Sequence, residues 1–349
     1  MAKEKQTLDD IIKRINKEAG ANIVGYGIPN RTYTRIPFTS PRMNYCTYGG
    51  IPTGRLVEFY GEEHGGKTTS ALDIVGNYQQ MQAMEENPKK VAWFDAENTL
   101  DFTWATKLGV DVDSLILLSP EEQSAEAILE DIICMLETGE VGLVVLDSIA
   151  AMTSEQELEK EIGDKTYAGI SMPLTRFGKE ATMLCKKHNA TVIGINQVRD
   201  DLGAMYGNAI KTPGGRAWKH LCSIRLQFSR GSFIDEKGNE IKRSSESPVG
   251  NKVLMQMIKN KTCPANRRGG YYTINYAYGI DYLADLLEVA IKYDILQGKG
   301  WYTIVNPDTG EVISDKVQGM NGVYEYLKDE EHESVLTFIE NYIDAKISM

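Results

Sequence analysis

RLVEFYGEEHGGKTT, residues 55–69, is the stretch that decides the fold. Its first half is a short apolar run of the kind that forms a buried strand, and its second half, Gly61-Glu62-Glu63-His64-Gly65-Gly66-Lys67-Thr68, fits GxxxxGK[ST]. A helical pattern starts at Lys67. Strand, glycine-rich turn and helix in that order build a phosphate cradle, because glycines let backbone N–H groups curl around an anion and the helix start adds partial positive charge. Lys67 stands where it neutralises a terminal phosphate, and the Thr68 hydroxyl where it can ligate Mg²⁺. The expected nucleotide contacts therefore run from Gly61 through Glu62, Glu63, His64, Gly65, Gly66, Lys67 and Thr68 to Thr69.

Outward from this loop, short apolar runs alternate with helical patterns: VAWFD, LILLS, a helix over 124–137, LVVLD, a helix over about 174–188, then TVIGI. That alternation predicts an α/β core, a mostly parallel sheet with helices on both faces. Leu143-Val144-Val145-Leu146-Asp147 is an apolar strand ending in an acid, so Asp147 joins Thr68 as the candidate magnesium ligand. Glu97, after the strand Val91-Ala92-Trp93-Phe94-Asp95, lies at a C-terminal strand end, where parallel sheets face their ligands. On the residues alone it serves equally well as the base that orients water or as a cap for the following turn. Asn196-Gln197 ends TVIGI, where an amide could meet a γ-phosphate or simply start a loop.

The flanks differ in character. Leu8, Ile11, Ile12 and Ile15 make one apolar stripe on a charged helix over 7–18, and residues 20–54 read as linker and loop. After residue 217, SIRLQFSR, KVLMQMIKN and GYYTINYAYG read as antiparallel strands, with an exposed hairpin loop over 231–251. A helix, a short strand WYTIV and a final helix suggest a small C-terminal α/β unit. The expected divisions are 1–54, 55–280 and 281–349.

Composition narrows the class. With 349 residues the chain can bury a full core, no apolar run approaches membrane-spanning length, and a cytoplasmic protein is expected. Five cysteines in an odd, widely spaced set without CxxC argue against disulfides and zinc, and four scattered histidines support no metal site. The net charge of −11 seems adverse to a nucleic-acid partner, but local concentration of basic residues decides that question. Residues 199–220 carry Arg199, Lys211, Arg216 and Lys219 against Asp200 and Asp201, and residues 259–268 carry Lys259, Lys261, Arg267 and Arg268 with no acid.

Taken in order, GRLVEFYGEEHGGKTTSAL, WFDAENTLD, VVLDSIAAMT, EIGD, GINQVR, GAMYGN with TPGGRAWK, and KNK followed by YGI resemble the RecA family of strand-exchange recombinases over nearly the whole chain. The resemblance implies a RecA-type P-loop NTPase core with an N-terminal helix and a small C-terminal α/β domain. It implies ATP and Mg²⁺ as cofactors, Glu97 as the catalytic carboxylate, and Gln197 as the amide coupling the γ-phosphate to a DNA-binding loop. Asp101 and Trp104 match positions that contact and stack on adenine, with Trp104 where the family often has Tyr, and Tyr276 matches a position near a neighbour's adenine.

Two DNA-binding loops are implied at about 157–172 and 198–214. In the second loop and its exit, Arg199, Leu202, Gly203, Met205, Gly207, Asn208, Lys211, Gly214, Gly215 and Arg216 are the expected DNA contacts, with the glycines supplying mobility and free N–H groups. Lys259 and Lys261 would reach a neighbouring subunit's ATP, as arginine fingers do, and the N-terminal helix would dock on the adjacent protomer. The expected partners are single-stranded DNA, homologous duplex DNA and further copies of the chain in a helical filament, with no membrane. The residues DAKISM do not resemble the acidic tail of many bacterial members, with only Asp329-Glu330-Glu331 and Glu333 nearby, so tail-based regulation is not expected. A ring-forming helicase or translocase would share Lys67, Asp147 and Glu97 but leave KNK and TPGGRAWK without a purpose. A mediator that hydrolyses little ATP would not need Lys67, Thr68, Glu97 and Asp147 all intact.

Overall fold

Uninterrupted burial along apolar strands requires two covered faces, and the sheet of this protein has them. The structure, a computed structural model, describes residues 7–20, 24, 33–119, 123–159, 169–200, 210–236, 238–241 and 247–347. The chain divides into two units, Met1–Thr34 and Arg35–Met349.

In the first unit, helix α1 (Leu8–Ala19) opens with a capping box in which the Thr7 hydroxyl accepts from the Asp10 N–H and the Asp10 carboxylate accepts from the Thr7 N–H. It ends at Gly20 in the left-handed region. None of its residues is fully buried, and Leu8 of its apolar stripe is 62% exposed.

The second unit begins earlier than the linker expectation suggested. Residues 35–52 form two paired two-residue strands, Arg35–Ile36 and Ile51–Pro52, around helix α2 (Pro41–Thr47), and bury Ile36, Phe38, Met43, Cys46 and Ile51. Short apolar residues spaced among Pro, Asn and Thr carry no clear period, so packing alone organises this segment.

The main sheet contains β1 (Leu56–Gly61), β2 (Lys90–Asp95), β3 (Ile116–Leu118), β4 (Val141–Asp147), β5 (Thr191–Gln197), β6 (Ile224–Ile234), β7 (Gly250–Asn260), β8 (Gly269–Asn275) and β9 (Gly279–Ile280). Its order is β9-β8-β7-β6-β1-β5-β4-β2-β3. Strands β6 through β3 in that order run parallel, and β7, β8 and β9 add an antiparallel edge. The hairpin loop between β6 and β7 is shorter than expected: the strands extend to Ile234 and from Gly250, and Glu240–Ile241 pairs back onto β6.

Period-two alternation sends Val57, Phe59, Trp93 and Val145 to one face, against Leu72, Ile74 and Val75 of α3 (Lys67–Gln82). Leu56, Phe94, Val144 and Leu146 go to the other face, against α5 (Ala125–Thr138) and α6 (Ser171–His188). Helix α4 (Phe102–Lys107) precedes β3, and α7 (Gly215–Leu221) leads into β6. Each fully buried Leu or Ile in these layers contributes roughly 1.5–3 kcal/mol, so the two faces hold the parallel strand ends in fixed register.

A separate apolar cluster joins α8 (Tyr282–Lys292), a three-stranded sheet of β10 (Leu296–Lys299), β11 (Trp301–Ile304) and β12 (Val317–Gln318), and helices α9 (Gly319–Lys328) and α10 (Glu333–Ile347). Among the described residues no helix is long and apolar enough to cross a membrane.

Candidate nucleotide site

Parallel strands deliver their C-terminal residues to one edge of the sheet, and here the strand order also places the crossover β1–α3–β2 outside β5 and β4. Gly61 pairs in register with Gln197 on one side and Phe228 on the other, and Asp95 pairs with Asp147. Four chain segments distant in sequence thus converge on the loop 61–68. A Cβ on Gly61, whose φ is 155°, would lie 2.0 Å from the Phe228 carbonyl oxygen, so this position tolerates no side chain. Gly66 starts α3 in the left-handed region with no side-chain cap, which leaves the first helix N–H groups directed at whatever fills the loop.

Lys67 is buried, and its Nζ donates to the Glu62 carbonyl at 2.6 Å. Burial holds its amine below the usual lysine range, while the acids Asp147, Glu97, Glu63 and Glu62 pull it back up. The Thr68 hydroxyl donates to Asp147 Oδ2 at 2.9 Å. Burial pushes the Asp147 carboxyl up to about 7, with the charges of Glu97 and Asp95 adding to that effect and Thr68 and Lys67 opposing it. A hydroxyl and a carboxylate oxygen side by side at a phosphate loop are hard donors that fit Mg²⁺, which takes few protein ligands and completes its shell with water and phosphate. Among the described residues no group of three or more His, Cys, Asp and Glu forms a metal cage, which suits that division of labour.

Glu97 is exposed at the mouth of the site, and two donors fix its Oε1: Ser148 Oγ at 2.6 Å and Gln197 Nε2 at 3.0 Å. The turn it follows is capped instead by Asp95, which accepts from the Glu97 and Leu100 N–H groups. Glu97 itself is bonded to Ser148 and Gln197. Gln197 is the amide that meets it, while Asn196 points into the interior toward Glu58.

A cavity of about 720 Å³ opens beside the loop, lined by His64 to Thr69, Trp104, Arg230, Asn251, Val253, Ile274 and Tyr276. Trp104 is half-buried and its Nε1 donates to Thr69 Oγ1 at 3.3 Å, which sets an indole face beside the loop. Asp101 caps α4 by accepting from the Trp104 N–H at 3.0 Å. Tyr276, expected near a neighbour's adenine, lines the cavity of its own chain, and its hydroxyl donates to Asn251 Oδ1 at 3.0 Å. Sequence reading missed Ser148, Arg230 and Asn251. Ser148 followed directly from its place after Asp147, but Arg230 and Asn251 reach the cavity only because β6 pairs with β1 and β7 with β6.

The basic segments lie elsewhere. The backbone of 199–200 pairs with that of 210–211, Arg199 opposite Lys211, and Arg216 is exposed on the first turn of α7. Leu202, Gly203, Met205, Gly207 and Asn208 lie outside the described residues, as do the side-chain environment of Arg199 and residues 160–168 of the first loop. Gly214 and Gly215 were expected to loosen the loop; instead they begin α7, and a Cβ on Gly214 would sit 2.4 Å from Leu174 Cδ2, so close packing explains them. Lys259 Nζ donates to the Lys219 and His220 carbonyls at 2.5 and 2.9 Å, and Lys261 Nζ to the His220 carbonyl at 2.9 Å. Both lysines thus sit on the C-terminal carbonyls of α7, away from the cavity. Arg176 and Lys179 of α6, also unanticipated, line a shallow groove with Met172 and Met183.

Fold and site together define a phosphate-loop α/β protein with a carboxylate and an amide aimed at the loop mouth. The RecA N-terminal domain model matches residues 6–281. The chain is 35% identical to Protein RecA of Staphylococcus aureus (strain JH9) over 329 residues, covering 93% of this chain and 88% of that one. It is 34% identical to Protein RecA of Ruminococcus albus over 298 residues, covering 85% and 68%. The crystal structure of the RadB recombinase aligns at 20% identity with a TM-score of 0.49, covering 69% of this chain and 96% of that one. The chain belongs to the RecA family.

Proposed function

We propose that this protein is a DNA-dependent ATPase that assembles into ATP-linked filaments on single-stranded DNA and pairs them with homologous duplex DNA in recombination and repair. The observation that carries this reading is the separation, along one strand, of the residues that line the nucleotide cavity from a pair of lysines. Asn251 and Val253 of β7 line the nucleotide cavity, whereas Lys259 and Lys261 stand six positions or more further along the chain. At about 3.3 Å per residue that is roughly 20 Å, beyond the reach of a lysine side chain. These lysines therefore serve a second copy's nucleotide or none, and a filament supplies that copy.

Within one protomer, the loop N–H groups and Lys67 bind the phosphates, and Trp104 and Tyr276 flank the base. Thr68 and Asp147 would hold Mg²⁺, which when bound would supply charge neutralisation for the triphosphate. Glu97, oriented by Ser148 and Gln197, takes a proton from the attacking water. Gln197 is the contact through which a γ-phosphate reaches the segment after residue 198, so nucleotide state and DNA affinity become linked. The exposed apolar stripe of α1 is the natural docking element for an adjacent protomer. DNA contacts to backbone phosphate leave homology to base pairing.

The test is ATP turnover with and without single-stranded DNA, paired with electron microscopy of the same samples. DNA-stimulated turnover with filaments is expected; turnover indifferent to DNA, or closed rings in place of filaments, overturns the reading.

A further inference from the structure

Beneath the nucleotide site lies a buried charge that the site itself does not use. Glu58 of β1, three residues ahead of the phosphate loop, is 0% exposed. Its Oε1 accepts from Asn196 Nδ2 at 3.0 Å, and its Oε2 is ion-paired with Arg225 Nε of β6. The Arg225 guanidinium also lies 4.5 Å from the centre of the Tyr60 ring. Asn196 Nδ2 makes a second bond, to the Pro213 carbonyl at 3.0 Å, just before α7.

A buried ion pair is costly to desolvate and is weak evidence of a purely stabilising role. Its connections suggest another purpose. Asn196 immediately precedes Gln197, which touches Glu97; Pro213 immediately precedes the turn into α7, whose last carbonyls hold Lys259 and Lys261; and Arg225 pairs in register with Lys259. Asn196 therefore ties the end of β5 to one structural support of the lysines directly, through Pro213, and to the other through the Glu58 carboxylate and Arg225.

We propose that Glu58 is a positioning residue that, through Asn196 and Arg225, couples the Gln197 contact to the placement of α7 and of Lys259 and Lys261. When Gln197 shifts along with β5, Asn196 shifts with it, moving the exit of the second loop through its bond to Pro213 and the lysine-bearing end of β7 through Glu58 and Arg225. The inference rests on the functional reading above and adds to it a specific mechanical link between a protomer's own nucleotide and the surface it presents to the next.

The experiment measures the affinity of the full chain for single-stranded oligonucleotide with a non-hydrolysable ATP analogue and with ADP, and takes the ratio. Glu58→Gln keeps the shape and an acceptor for Asn196 but removes the charge facing Arg225. Asn196→Ser keeps the ion pair and removes only the amide, so it tests the link if Glu58→Gln folds poorly. Both variants are expected to bind ADP as wild type does and to lose roughly tenfold or more in the ATP-over-ADP ratio, which corresponds to about 1.4 kcal/mol of coupling. A role confined to stability would lower the melting temperature and leave the ratio unchanged. Asn196→Ser with an undiminished ratio overturns the inference alone, while a wild type with no ATP-over-ADP preference overturns the functional reading on which it rests.

Discussion

The two regions of the main sheet that carry charge deal with it in opposite ways. At the carboxyl ends of β1, β4 and β5 the groups are already in contact: Thr68 with Asp147, and Glu97 with Ser148 and Gln197. At the antiparallel edge, Lys259 and Lys261 have only the last carbonyls of α7 for company, and among the described residues no carboxylate forms an ion pair with either. A helix C-terminus holds a cation by about 0.3–1 kcal/mol at an exposed site. A phosphate offers far more charge, so these lysines can leave their carbonyls for one at little cost. The groups of the first region bond one another within the chain, and in the function proposed above the second region meets the nucleotide of a neighbouring copy.

The largest expected effect breaks the second region. Lys259→Ala combined with Lys261→Ala should abolish ATP-linked filament assembly and lower DNA-stimulated turnover by about 10³-fold or more, the scale of a finger residue acting in trans. Nucleotide binding by the dilute protomer should survive. Light scattering and turnover assays read the two separately, and undisturbed assembly would remove these lysines from the interface.

A smaller effect breaks the first region without touching the second. Glu97→Gln should bind ATP and DNA and still form filaments, yet lose roughly 10²–10³-fold in turnover for want of a base. Turnover near the wild-type rate in single-turnover kinetics would take Glu97 out of the chemistry and leave it as a support for Gln197.

The smallest effect sharpens the comparison by asking what the first region costs. Asp73, on α3 just behind the phosphate loop, is buried and accepts from the Thr39 N–H at 3.0 Å, and burial pushes its carboxyl up to about 7 from 3.8. Its folded-state affinity for a proton exceeds that of the unfolded chain, so its contribution to stability is present in acid and is lost as pH rises from about 4 to about 7. Asp73→Asn should therefore gain in melting temperature relative to wild type across that window. A difference between the two proteins that does not change with pH would mean that the carboxyl is ionised throughout.

Much of the site was legible in the sequence because strand-loop-helix chemistry is local. The glycines, Lys67 and Thr68 are contiguous, and Asp147 and Glu97 each end an apolar run whose direction is set by the parallel pattern. What escaped notice comes from elsewhere in the chain: Asn251 and Arg230 enter the cavity across strand pairings, and Asn196 differs from Gln197 only in which face of β5 it occupies. The same limit hid α2, whose residues lack a helical period long enough to register and fold against α8 and β8. The glycines at 214–215 were read as loop chemistry, since nothing in their neighbourhood announces that Leu174 will pack on Gly214.

By itself the sequence determined the phosphate loop, the α/β alternation and the resemblance to the RecA family, because each is written in neighbouring residues and in the period of apolar ones. Only the tertiary structure decided which amide faces Glu97, that Tyr276 lines its own chain's cavity, and that Lys259 and Lys261 stand too far along β7 to serve it. Those outcomes depend on strand order and register, which bring together groups far apart in the chain and which no local pattern encodes.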